Sequence, residues 1–155
     1  MSTRLHIEVT ADIRAAAPDV YRMIADYRAG HTRIIPPQYF RNLEVEQGGY
    51  GEGTIIRYDM IAFGKTTHAR ARVTEPRPGR VLLETDLDRD IVSTFTVEPV
   101  DASRSRVTIA TDLPTRTGVV GWIERAIMRS YLHRVFIAEL AQLDGEVTPR
   151  ARDAA

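Results

Sequence analysis

The chain has 155 residues, 43% hydrophobic and 27% charged, with 21 basic against 21 acidic side chains and no cysteine. That length and balance suit one globular domain with a single sizeable core. A net charge of zero removes the electrostatic case for nucleic acid or an anionic membrane as partner, and the missing cysteines exclude a disulfide framework and any thiolate metal site.

The first ten residues carry no apolar leader, and no run approaches about 18 apolar residues. The expectation is a cytoplasmic protein without stable membrane insertion. Leu5, Ile7, Val9, Ala11 and Ile13 alternate with polar neighbours and mark a half-buried first strand. Pro18 and Asp19 open a helix running to about Tyr27, with Gly30 as its stop. A short second helix fits His31 to Ile35, ended by Pro36 and Pro37.

Six strand-like runs follow. Leu43 and Val45 mark one, before the turn Gly-Gly-Tyr-Gly-Glu-Gly at 48–53. Thr54 to Phe63 and Thr66 to Glu75 make a hairpin about Gly64 and Lys65, pairing Ile56 with Val73, Tyr58 with Ala71 and Met60 with Ala69. Arg57 then meets Arg72 and Asp59 meets Arg70 on the opposite, wet face. The next inner row is Val81, Leu83, Thr85 and Leu87, which places Glu84 and Asp86 outside, beside Arg70, Arg72 and His68. Ile91, Ser93, Phe95 and Val97 continue the inner face, then Val107, Ile109 and Thr111. Gly118 to Leu143 reads as one long helix with a wide apolar arc, on which Trp122 is a packing anchor. One domain over 1–147 is expected, with a disordered tail at 148–155.

Motifs for chemistry are sparse. His6, His31, His68 and His133 show no metal-ligand spacing. The glycines at 48–53 are followed by a strand, where a dinucleotide site needs a helix. Asp86, Asp88 and Asp90 open like a calcium loop, but the glycine is missing and Val97 stands where the glutamate belongs. Ser93 and Ser130 lack the nucleophile-elbow context. No cofactor is expected.

The order of elements is strand, two helices, six strands, long helix. With the segments ADIRAAAPDVYRMIAD, GYGEGTIIRY, RVTEPRPGRVLLET, FTVEPVDASRSRVTIATD and FIAELAQLD, the chain from about Arg4 to Leu143 resembles the START-like superfamily, which includes Bet v 1 relatives and the polyketide cyclase/dehydrase-type family. The resemblance implies an α+β helix-grip fold: a curved antiparallel sheet of six to seven strands around a long C-terminal helix, with two short helices after strand 1. It also implies a hydrophobic cavity between sheet and helix that holds lipids, polyketides, hormones or other apolar molecules. Some relatives catalyse cyclisation or dehydration, but the family shares no universal catalytic residues.

Strand parity supplies the candidate wall of that cavity: Ile56, Tyr58, Met60, Ala69, Ala71, Leu83, Thr85, Ser93 and Phe95, with Ile127 and Tyr131 from the helix. Large side chains opposite alanines suggest a sheet curved around a space. Arg134 either enters the cavity to meet an anionic ligand or lies on a solvated edge; the edge is the favoured placement. These inner rows hold hydroxyls and apolar groups but no carboxylate, histidine or lysine, so nothing better than Tyr58 is available for acid–base work. Binding of a small hydrophobic ligand is therefore expected ahead of cyclase, aromatase or dehydratase activity in the same cavity, by a monomer or homodimer with no catalytic residue and no metal site assigned.

Overall fold

A computed structural model describes residues 3–148; the expected tail, beyond Thr148, lies outside the described residues. Seven strands form one antiparallel sheet in the order β1-β7-β6-β5-β4-β3-β2. They are β1 (Thr3–Ile13), β2 (Phe40–Gln47), β3 (Ile55–Ala62), β4 (Lys65–Arg77), β5 (Val81–Asp86), β6 (Val92–Pro99) and β7 (Ser105–Thr115). Helices α1 (Ala17–Ala25) and α2 (His31–Ile34) lie between β1 and β2, and α3 (Gly118–Val147) closes the chain. This is the helix-grip arrangement.

The core forms where the alternating apolar rows meet the helices. Leu5 and Ile7 of β1, Val97 of β6 and Val107 and Ile109 of β7 are buried against Val20 and Ile24 of α1 and Val135, Phe136, Leu140 and Leu143 of α3. Pro18 sits in the first turn of α1, where its missing N–H costs nothing. Arg14, just past β1, holds Asp144 of α3 through its backbone N–H and guanidinium. That contact pins the C-terminal half of α3 across the sheet and holds the Asp144 carboxyl below its ordinary range.

Three expectations are corrected. The β3–β4 hairpin turns at Phe63 and Gly64, not at Gly64 and Lys65. Both residues have positive φ, 51° and 73°, the pattern of a primed turn that matches strand twist. The register consequently moves by two: Ile56 faces Ala71, Tyr58 faces Ala69 and Met60 faces Thr67, while Arg57 meets Arg70 and Asp59 meets His68. A shift of two leaves every side chain on its expected face. The Arg57–Arg70 contact is relieved by β2, whose Glu44 and Glu46 pair with Arg57 and Arg70 respectively.

The second correction concerns β5. Its register with β4 shifts between Thr74 and Arg77. Glu84 then stands opposite Val73 and Asp86 opposite Ala71, both buried positions. Leu82, opposite Phe95, is the buried leucine. Leu83 and Thr85 face outward, and the acids Glu84 and Asp86 face in. Third, the first half of α3 is not covered. Trp122 is 66% exposed and Ile127 49%, and Val119, Val120 and Ile123 are exposed beside them; Trp122 anchors nothing.

Candidate functional site

Between the concave face of the sheet and α3 lies a cavity of about 260 Å³. Most of its wall is apolar. Ile56, Tyr58, Met60 and Ala62 of β3 and Ala71 of β4 contribute from one side; Phe95, Ile109 and Leu113 close the other; Leu132 and Phe136 of α3 cover it. Phe40 of β2 meets Tyr58 edge to face, with centroids 5.8 Å apart. Large side chains facing small ones leave the space: Tyr58 opposes Ala69 and Ile56 opposes Ala71.

Ile56, Tyr58, Met60, Ala71, Ser93, Phe95 and Tyr131 line the cavity. Ala69 is buried beneath Tyr58 without reaching the space. Leu83 and Thr85 lie on the outer face because β5 has the opposite parity. Ile127 is half-exposed, and Arg134 is exposed with Nε donating to the Ser130 carbonyl at 3.4 Å. Of the polar candidates, Ser93 Oγ shares a 2.8 Å hydrogen bond with Thr111 Oγ1, and the Tyr131 hydroxyl donates to the Ile61 carbonyl at 2.7 Å. The Tyr58 hydroxyl has no hydrogen-bond partner among the described residues, and burial raises its pKa well above the ordinary phenol range, with the Glu84 charge adding to the effect.

An ionisable cluster occupies part of this wall: His31, Glu84, Asp86, Arg89 and Glu139, with Glu84 and Asp86 turned inward from the outer face where strand parity put them. It contradicts the expected acid-free interior. Each member is set by a local structural reason. Asp26 ends α1 and accepts the Arg28 and Ala29 amides, turning the chain into α2. The glycine turn docks on this corner, with the Tyr27 amide donating to the Gly49 carbonyl and the Gly51 amide to that of Ala25. Gly49 has φ of 138°, and a Cβ there would strike the Arg28 side chain. Tyr27 is thereby buried, and its hydroxyl donates to Glu84 Oε1 at 2.5 Å.

His31 follows immediately, 2% exposed, stacked on Tyr27 at 4.4 Å and edge-on to Phe95 at 5.6 Å. Its Nδ1 donates to the Ile24 carbonyl at 2.8 Å, which fixes a proton on that nitrogen because a carbonyl only accepts. Nε2 then lies 3.6 Å from Glu84 Oε1. Asp86 accepts the Asp88 and Arg89 amides and pairs with the Arg89 guanidinium at 3.2 Å. Glu139 is different. It is 4% exposed, and among the described residues no donor reaches its carboxyl. Burial, reinforced by the charge of Glu84, pushes its pKa up to about 8.

The sequence did carry a signal for Glu139: it sits at helical spacing among Leu132, Val135, Phe136, Leu140 and Leu143, on the buried arc of α3.

Fold and site together define a helix-grip protein with an internal, largely apolar cavity. The family described as polyketide cyclase / dehydrase and lipid transport matches residues 4–148, and the chain belongs to it, within the START-like superfamily. Solved structures share the fold. The KanY protein superposes with a TM-score of 0.82 at 24% identity, covering 95% of this chain and 99% of its own. The Zhui aromatase/cyclase from Streptomyces sp. R1128 gives 0.78 at 21%, covering 99% of each chain. Norcoclaurine synthase from Thalictrum flavum, in complex with dopamine and hydroxybenzaldehyde, gives 0.70 at 16%, covering 94% and 87%. Among curated proteins, none matches this chain in sequence. No helix among the described residues is long and apolar enough to cross a membrane.

Proposed function

We propose that the chain binds a small, mostly apolar molecule in the cavity between sheet and α3. The observation that supports this reading is the cavity itself: about 260 Å³, walled by aliphatic and aromatic side chains, with a few polar groups gathered where they can orient an occupant. Denaturing the purified protein and extracting it for mass spectrometry tests for a bound molecule. A library of apolar compounds tests for binding directly, since a ligand at a hundred times its Kd stabilises the native state by about 2.7 kcal/mol. A protein that yields no extractable ligand and whose Tm no apolar compound raises would sink the proposal.

A second reading, cyclisation or dehydration of a polyketide-like substrate in the same space, is favoured by one feature. A carboxylic acid with a pKa of about 8, such as Glu139, is protonated at neutral pH and can donate that proton to a departing oxygen. On this reading Glu139→Gln lowers kcat by about 10²-fold or more on a genuine substrate. Unchanged turnover in that variant and in Tyr58→Phe would leave this reading without a chemical group to rest on.

A further inference from the structure

Among the described residues, every carboxyl, guanidinium and imidazole around the cavity except one carboxyl already has a partner. Glu84 receives the Tyr27 hydroxyl and faces His31. Asp86 holds Arg89. Glu139 lines the same space, more than nine-tenths buried, with no protein donor among the described residues. The charge count is lopsided. Three carboxyl groups, Glu84, Asp86 and Glu139, meet one guanidinium, which is committed to Asp86, and one imidazole, which faces Glu84. Around them stand the rings of Phe40, Tyr58, Phe95 and Phe136, whose faces attract cations.

We infer that the preferred occupant is an apolar molecule carrying one basic nitrogen, and that Glu139 receives that nitrogen. The inference rests on the binding reading above and narrows it to a ligand class. An anionic ligand would bring its charge beside Glu84, with no uncommitted cation among the cavity-lining residues to meet it. A neutral ligand could accept a hydrogen bond from protonated Glu139 but would offer its carboxylate form no charge partner. A metal ion lacks its ligand set: no three histidine, aspartate or glutamate side chains converge among the described residues. An ammonium group supplies the missing donors and the missing charge in one group.

In the empty protein at pH 7 Glu139 is a neutral acid, and the amine arrives as its ammonium form. Forming the ammonium–carboxylate pair expels the carboxyl proton to solvent, so binding releases one proton. The groups facing Glu139 across the cavity are Glu84 and Asp86 of β5, Arg89 beyond it, His31 of α2 and Tyr58 of β3, with Tyr27 behind Glu84. With one proton released, amine affinity rises with pH towards 8 by up to about tenfold per pH unit. A neutral acceptor, bonded by the protonated acid, shows the opposite trend, flat and then falling as Glu139 ionises.

Calorimetric titration of the full chain at pH 6, 7 and 8 tests this. The probes are an amine, an alcohol and a carboxylate, each on a naphthylethyl and on an octyl body, in buffers of differing ionisation heat. The expected result is amine binding at least about tenfold tighter than the alcohol at pH 8, the carboxylate weakest, and proton release with the amine alone. In Glu139→Gln the amine-to-alcohol ratio drops to about one and the proton release disappears. Alcohol binding as tight as the amine, or amine affinity that does not rise with pH, overturns the inference and leaves the binding reading standing. No binding by any of the six overturns both. The pH series on the unaltered protein decides the matter even if the variant fails to fold.

Discussion

Glu139 is a costly residue to bury, and the cost is measurable without any ligand. Its folded pKa of about 8 lies above its ordinary 4.5, so the native state holds more protons than the unfolded state between those values. Stability from this group is complete below about pH 4.5 and is lost as pH rises through about 8. Glutamine has the same shape and no proton to lose. Glu139→Gln and the parent protein therefore have similar pH dependence in acid and diverge as pH rises, with the variant the more stable at pH 8.5 by on the order of a few kcal/mol. Scanning calorimetry from pH 5 to 9 reads this directly; a constant Tm difference across the range would show that Glu139 does not titrate as described. Glu139 lines the cavity, so an occupant that pairs with its carboxylate offsets part of this cost.

At the scale of elements, β1, β6 and β7 were legible because each alternates one apolar row with one polar row. β5 was not. Leu82 and Leu83 are adjacent, so either parity buries a leucine, and the parity that sends Glu84 and Asp86 to solvent is the ordinary choice. The structure takes the other, because the irregularity between Thr74 and Arg77 resets the strand against β4. The two parities make opposite mutational predictions. Leu82→Ala, at a fully buried position against Phe95, costs about 2–5 kcal/mol, whereas Leu83→Ala, on the outer face opposite Thr74 and Thr94, costs no more than about 1 kcal/mol. Urea denaturation of the two variants distinguishes them, and equal losses would contradict the parity. The same reversal explains why the polar part of the site escaped sequence reading while its apolar wall did not: hydrophobic patterning finds the rule, and buried acids are departures from it. The long helix departs in the other direction. Its first half presents Val119, Trp122 and Ile123 to water; the emission maximum of the chain's single tryptophan is therefore expected to shift only slightly on unfolding in urea, and a large red shift would show Trp122 to be packed.

For the whole molecule the decisive property is that its core is not filled. Natural interiors pack to crystal-like density, and voids larger than a water molecule are few; a space of about 260 Å³ between sheet and helix departs from that density. Its walls are held apart by the curvature of the sheet and by α3, which α1, α2 and β1 fix at its C-terminal half while the N-terminal half stands clear. Filling the space should therefore separate binding from folding. Ala71 is 1% exposed and lines the cavity opposite Ile56 and Asp86. In Ala71→Leu the added carbons enter open volume, so stability changes by no more than about 1 kcal/mol, less than the 1–3 kcal/mol that the same enlargement costs in a packed core. The compound that raises the parent's Tm most then loses most of its effect. Thr94→Leu, an enlargement on the outer face of β6, is the control and leaves the ligand response intact. If Ala71→Leu keeps the full ligand-induced shift, the bound molecule lies elsewhere and the cavity is not the site; if it unfolds the protein while Thr94→Leu does not, the wall at Ala71 has no room to give and the space is smaller than it measures.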